Sequence, residues 1–193
     1  MAPRDPDEGT EHGLPVVGAA FLLTQLGTHS AQVFARRIGE LDLTPPQTGL
    51  LRAIARAPGR SQQALAELLG TPATRLVALV DSLEQRGLVE RRRNRTDRRL
   101  YAVHLTSAGT ALMDAIAEAA RDHDSTVLAA LDTDERAQLH ELLSRVAADQ
   151  GLRPGVHPGY RTLRAADTAS PQHRRRPVRQ ATTGGDNTSS GPA

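Results

Sequence analysis

Seven arginines stand between residues 86 and 99: Arg86, Arg91, Arg92, Arg93, Arg95, Arg98 and Arg99, against only Glu90 and Asp97. Guanidinium groups this close repel one another, and a polyanion beside them relieves the repulsion. Each also offers a planar fork of donors that fits phosphate oxygens or the edge of a guanine. The chemistry on offer is anion recognition, and nothing else in the chain competes with it. Without cysteine there is no disulfide framework, thiolate zinc site or thiol redox sensor. His29, His104, His123 and His140 are scattered without ligand spacing, so no metal is expected. The stretch GTPATR at residues 70–75 lacks the Gly-Lys-Ser/Thr end of a phosphate loop, and no H-E-x-x-H or nucleophile–His–acid arrangement can be placed. The expectation is a protein that binds and does not catalyse, without a cofactor.

Such a cluster needs elements to aim it. Just before it, Leu76, Val77, Leu79, Val80 and Leu83 form the apolar face of a helix that Thr71-Pro72 can start and Gly87 can end. Ahead of that, Ser61 caps a short helix with Ala64, Leu65, Leu68 and Leu69 inward, and Gly70 closes it in the left-handed conformation. Two short helices joined at Gly70-Thr71-Pro72 read as a helix-turn-helix at the sequence level, but on their own more readily as an ordinary αα-hairpin. Residues 88–105 separate the two readings. Leu88 and Val89 begin a strand, Asn94-Arg95-Thr96-Asp97 has turn chemistry, and Tyr101, Val103 and Leu105 alternate with Leu100, Ala102 and His104. A short helix, a recognition-type helix and a basic hairpin, in that order, predict a winged helix-turn-helix that reads duplex DNA.

The flanks are helical. Ala19, Leu22, Leu23, Leu26, Val33, Phe34, Ile38 and Leu41 recur at helical spacing across residues 14–41, on more than one stripe. Thr44, Pro45 and Gln47 make a capping box with proline at the first helical position, and Leu50, Leu51 and Ile54 give the buried face before Ala57-Pro58-Gly59 stops the helix. Thr106 caps a long helix through Leu112, Met113, Ile116 and onward to Leu131. Asp132 or Thr133 caps a last one carrying Leu139, Leu142, Leu143 and Val146. These outer helices are too apolar for so small a domain to cover alone, and a homodimer on a palindromic site is the natural solution. The fold class expected is mostly α with a small β-wing: a winged helix-turn-helix at residues 44–106, flanked by N- and C-terminal dimerisation helices at 14–42 and 107–150. Residues 1–13 read as a disordered N-terminus and 151–193 as a disordered basic tail.

Charge and composition agree. Every basic residue is arginine. Residues 1–150 carry 17 Arg against 20 acidic residues, and residues 151–193 carry 7 Arg against 2 Asp. A mildly acidic body with one basic hairpin suits a local phosphate contact. Arginine in place of lysine is equally explained by codon bias, which leaves the clustering unexplained. Aromatics are 2% of the chain, so the core must be Leu, Val, Ile and Ala. No run of 18 apolar residues exists and the polar N-terminus lacks the regions of a signal peptide, which gives a cytoplasmic expectation.

RLVALVDSLE at 75–84 running into GLVER at 87–91, then DRR at 97–99 and VHLTSAG at 103–109, together resemble the MarR family of bacterial transcription regulators. The resemblance covers roughly residues 14–150. It implies a dimer built on the first and last two helices, a fourth helix in the major groove and a wing in the minor groove. It also implies that many members are repressors released by small molecules, often phenolic or aromatic acids, and a repressor of this kind is the leading expectation for this chain. Carried over by position, Thr74 and Arg75 lie near the start of the fourth helix, and Arg75 is the candidate to read a guanine edge. Ala78 stands where many relatives carry a polar residue, and can touch a thymine methyl. Ser82 is a candidate for a phosphate. Arg99 matches the arginine that enters the minor groove, where it would read groove shape, and Asp97 matches the acid that orients it. Arg93, Arg95 and Arg98 are phosphate candidates. Relatives bind effectors between the dimer helices and the recognition module, where His29, Gln32 and Arg52 are the candidates here. Two other classes compete: a DNA-coating protein that binds any duplex, and a helical interaction module whose wing binds protein.

Overall fold

The computed structural model describes residues 17–93 and 101–162. The expected N-terminal tail (1–13) and the wing tip lie outside these residues, as does the chain beyond 162. Six α-helices and one hairpin follow in order: α1 (Ala19–Gly39), α2 (Pro45–Arg56), α3 (Gln62–Leu69), α4 (Ala73–Gln85), β1 (Val89–Arg93), β2 (Tyr101–Leu105), α5 (Ser107–Val127) and α6 (Thr133–Asp149), with a 3-10 turn at Pro158–Thr162. This is the mostly helical architecture with a small β-wing that the sequence predicts.

Short polar side chains start four of the helices, because each satisfies a backbone N–H that the first turn leaves unpaired. Thr44 and Gln47 form the capping box of α2, Ser61 accepts from the Ala64 N–H, Thr106 from Gly109, and Asp132 forms a capping box with Glu135. Thr71 departs from expectation. Gly70 takes the left-handed conformation (φ 66°), which turns the Thr71 N–H back onto the Ala66 carbonyl at 3.0 Å. Thr71 therefore completes the end of α3, and α4 starts at Pro72 without a side-chain cap.

The core lies where α2, α3, α4 and the hairpin meet. Leu50, Leu51, Leu65, Leu76, Leu79, Val80, Leu83 and Val103 are completely buried there, with Ile38 closing it from α1 and Ile116 from α5. β1 and β2 pair antiparallel, Val89 opposite Leu105 and Arg93 opposite Tyr101. β2 has a second neighbour. Val103 exchanges backbone hydrogen bonds with Gly59 and Arg60, and Ser61 bridges Ala102. Being paired on both edges, β2 buries Ala102 as well as Val103, so it does not simply alternate.

The outer helices are only half covered. Phe21, Leu22, Leu23 and Leu26 on α1 are exposed, as are Leu142, Leu143 and Val146 on α6, and α6 buries no residue at all. No described helix is long and apolar enough to cross a membrane. The inner ends of α1 and α5 do meet, through Phe34 edge-on to His123, Ser30 Oγ at 2.9 Å from His123 Nε2, and Arg37 donating to Asp122 and Thr126.

The folded chain extends past residue 150, where the tail was expected to begin. After α6 a left-handed Gly151 turns the chain back, and residues 151–162 lie across α2 and α3. Tyr160 is buried in the main core, and its hydroxyl donates to the Pro46 carbonyl at 2.5 Å.

Candidate nucleic-acid interface

α4 turns Leu76, Leu79, Val80 and Leu83 into the core and leaves the opposite face outward. Thr74 and Ala78 are exposed on that face, one turn apart, and Arg75 is half-buried beside them. Val77, which apolar periodicity assigns to the core, lies outward with them at 40% exposure. The core stripe of α4 is narrower than its apolar content suggests. Val77 thus joins Ala78 as an apolar surface able to meet thymine methyls, a role that its flanking residues, Leu76 inward and Ala78 outward, do not advertise in the sequence. Ser82 sits further along and is half-buried. Its hydroxyl accepts a hydrogen bond from Gln47 Nε2 at 2.9 Å, so the polar side chain nearest the end of the face is engaged by α2.

The hairpin stands beside α4, and its arginines divide by partner. Arg91 is a structural bolt. Its guanidinium donates to Asp81 at 2.5 Å, to Glu84, and to Gln62 at 3.1 Å, and its backbone N–H donates to Glu84 at 3.0 Å. One side chain on β1 thereby grips α4 twice and α3 once, which sets the angle between wing and recognition helix. Arg86 donates to the Asp42 carbonyl at 2.7 Å and ties the end of α4 to the α1–α2 loop. Arg92 pairs with Glu90 on the exposed side of β1; that pairing holds the Glu90 carboxyl below the usual carboxylate range. Arg93, at the outer end of β1, is exposed and makes no ion pair among the described residues. Arg95, Asp97, Arg98 and Arg99 lie outside the described residues. Arg93 and Tyr101 pair at the exposed outer end of the hairpin.

The effector candidates lie elsewhere. His29 and Gln32 are exposed three residues apart on α1, and Gln32 lines an open groove of about 600 Å³ with Leu23, Gly27 and Ala31, faced by His157 of the C-terminal segment. Arg52 is exposed on α2 and near enough for its charge to act on the Tyr160 phenol. Burial, the larger influence, pushes that phenol well above its ordinary pKa. No group of three or more acidic, His or Cys side chains could hold a metal among the described residues.

Comparison with known proteins matches this geometry. A family model described as "MarR family" fits residues 41–100, which take in α2 through β1 and stop before β2. A candidate transcriptional regulatory protein for the hcr operon of Thauera aromatica is 38% identical over 122 residues, 63% of this chain and 74% of that protein. The transcriptional repressor CouR, solved on a 23-mer DNA duplex, is 30% identical with a TM-score of 0.60, covering 67% of this chain and 92% of that one. A cysteine-to-serine mutant of MarR from E. coli, solved with operator DNA, is 26% identical with a TM-score of 0.58, covering 66% and 91%. With an outward-facing recognition helix bolted to a basic wing, and relatives of this identity matched over most of their length, the chain belongs to the MarR family of DNA-binding transcription regulators.

Proposed function

We propose that the chain acts in the cytoplasm as a homodimeric repressor of a palindromic operator, released by a small aromatic or phenolic effector. The observation that carries the DNA reading is the outward face of α4, where Thr74, Val77 and Ala78 are exposed beside a hairpin locked in place by Arg91. A rigid relation between helix and wing lets one protomer engage a major groove and the flanking minor groove together. The exposed apolar faces of α1 and α6 support the dimer, since two-fold pairing would cover them. The direction of regulation follows the likeness to CouR. For the effector, the open groove along α1 lined by Gln32 and faced by His157, with His29 three residues from Gln32 on the same helix, is the candidate site, and Arg52, apart from it on α2 near Tyr160, is a separate candidate able to meet a carboxylate.

The test is selection from a random duplex pool followed by anisotropy titration at physiological salt. A specific regulator prefers its site by about 10³-fold or more over random duplex. Arg75→Ala should cost about 1–3 kcal/mol on the selected site and relax one base position. Equal binding of every duplex would make the chain a coating protein, and equal losses on selected and random DNA would remove Arg75 from base reading.

A further inference from the structure

α6 buries no residue within the protomer. It is attached at its start by the turn from α5 and at its end by residues 151–162. That second attachment grips the helix-turn-helix at three points. Tyr160 fills a slot against α2, its hydroxyl on the Pro46 carbonyl and its ring over Gly49, where a Cβ would overlap it. Arg153 donates to the Glu67 and Leu68 carbonyls at 2.6 and 3.1 Å, at the C-terminal end of α3, where a cation complements the helix dipole. The Arg161 stem lies beside Gly70, in the α3–α4 turn, 3.8 Å from where a side chain there would begin. The segment leaves the outward face of α4 clear, because Thr74, Val77 and Ala78 stay exposed. Its influence on DNA therefore lies in placement, not in obstruction.

We propose that residues 151–162 are a latch that fixes the helix-turn-helix relative to α6, and so fixes the separation of the two α4 helices in the dimer. Tyr160 and Arg153 are its positioning residues. The proposal rests on the dimeric DNA-binding reading. Apart from Tyr160, half-buried Val156 and Gly159, every residue of the latch is exposed, so its hold rests chiefly on the Tyr160 ring, with Val156 against the core beside it, and on the Arg153 guanidinium. A latched dimer holds its recognition helices at one distance. An unlatched dimer adapts to several, because α6 then keeps the dimer together while the reading module shifts. On B-form DNA each added base pair moves a half-site by about 3.4 Å and rotates it by about 35°, so a fixed separation appears as a sharp preference for one spacer.

The experiment takes a duplex selected by the full wild-type chain, then lengthens and shortens its spacer by one and two base pairs. Wild type should reject the altered spacers by about tenfold or more, and Tyr160→Ala and Arg153→Ala should reject them by less than about threefold, with single half-site binding held within about twofold. Tyr160→Phe, which keeps the ring, should retain the wild-type preference. Arg153→Ala alters an exposed side chain and keeps the test alive should Tyr160→Ala fail to fold. Unchanged spacer preference in Arg153→Ala, or equal losses on half-sites and full sites, would overturn the spacing role. Latch closure is read without DNA in a Tyr101→Phe background, where Tyr160 is the only tyrosine. Its phenol should resist alkaline ionisation until the protein unfolds, and titration as a free phenol would overturn the latch itself. Failure of wild type to select any duplex would bring down the DNA-binding reading and the spacing role with it, while the phenol titration would still report whether the latch is shut.

Discussion

Replacing a glycine inside a helix by alanine ordinarily stabilises, yet at position 49 it should do the reverse. Gly49 lies within α2, where alanine gains about 1 kcal/mol from helix propensity. Its Cβ would overlap the Tyr160 hydroxyl and press on the ring carbons Cζ and Cε2 at 3.0 and 3.1 Å. The helix cannot retreat, because Leu50 and Leu51 beside it are fully buried. The ring must leave. Exposing about 200 Å² of aromatic surface forfeits about 4–5 kcal/mol at the usual area coefficient. The freed segment recovers conformational entropy that offsets about half of this, leaving a net loss near 2 kcal/mol. Gly49→Ala should then destabilise wild type by about 1 kcal/mol and stabilise Tyr160→Ala by about 1 kcal/mol, a coupling of about 2 kcal/mol with a change of sign. Urea unfolding of the four proteins at one protein concentration measures it. Equal stabilisation in both backgrounds would show that the ring does not occupy the slot, and would refute the reasoning.

Arg91→Ala should lose about 2 kcal/mol, since it strands two carboxylates and an amide at once, though the half-exposure of Asp81 softens the loss. Arg92→Ala should stay within about 0.5 kcal/mol, because its pair with Glu90 faces water; comparable losses in urea melts would contradict the division between bolt and free wing. Gly109→Ala places a Cβ into the Leu88 carbonyl, a backbone atom that cannot rotate away, and should cost about 3 kcal/mol by thermal melting. Burial, then the charge of Arg37, holds the His123 imidazole below its ordinary pKa. The unfolded chain takes up the proton first, so this contribution to stability is whole above about pH 6.5 and fades as the pH falls through the folded value. His123→Gln should flatten that part of the melting-temperature profile, and an unchanged slope would assign it to other groups.

Local chemistry was readable. Thr44, Ser61, Thr106 and Asp132 start helices because each acts within three residues of itself, and the order of helix, helix and hairpin needed nothing beyond periodicity and turn residues. What escaped depends on distant partners. Thr71 fits a cap in the sequence, but the left-handed Gly70 commits its N–H to Ala66. Val77 differs from Leu76 only in which way a single helical step points it. Ala102 is buried by Gly59, Arg60 and Ser61, too short a segment to register as a strand. Tyr160 gave one faint signal: a large aromatic in a chain with only four, set in a stretch otherwise suited to a tail. Charge counting likewise could not separate Arg91 from its neighbours, though Asp81 and Glu84 on the last turns of α4 face the next strand.

A guanidinium already neutralised by two carboxylates sheds no counterion when a phosphate arrives. Each phosphate that a protein neutralises adds about 0.9 to the slope of log affinity against log salt. Arg91, the first arginine of the densest basic run, adds almost nothing to that slope. A tally of the seven arginines between residues 86 and 99 therefore overstates the ionic part of operator binding by at least one phosphate per protomer. The Arg91 contribution instead persists in concentrated salt, as the fixed angle at which the remaining arginines are presented.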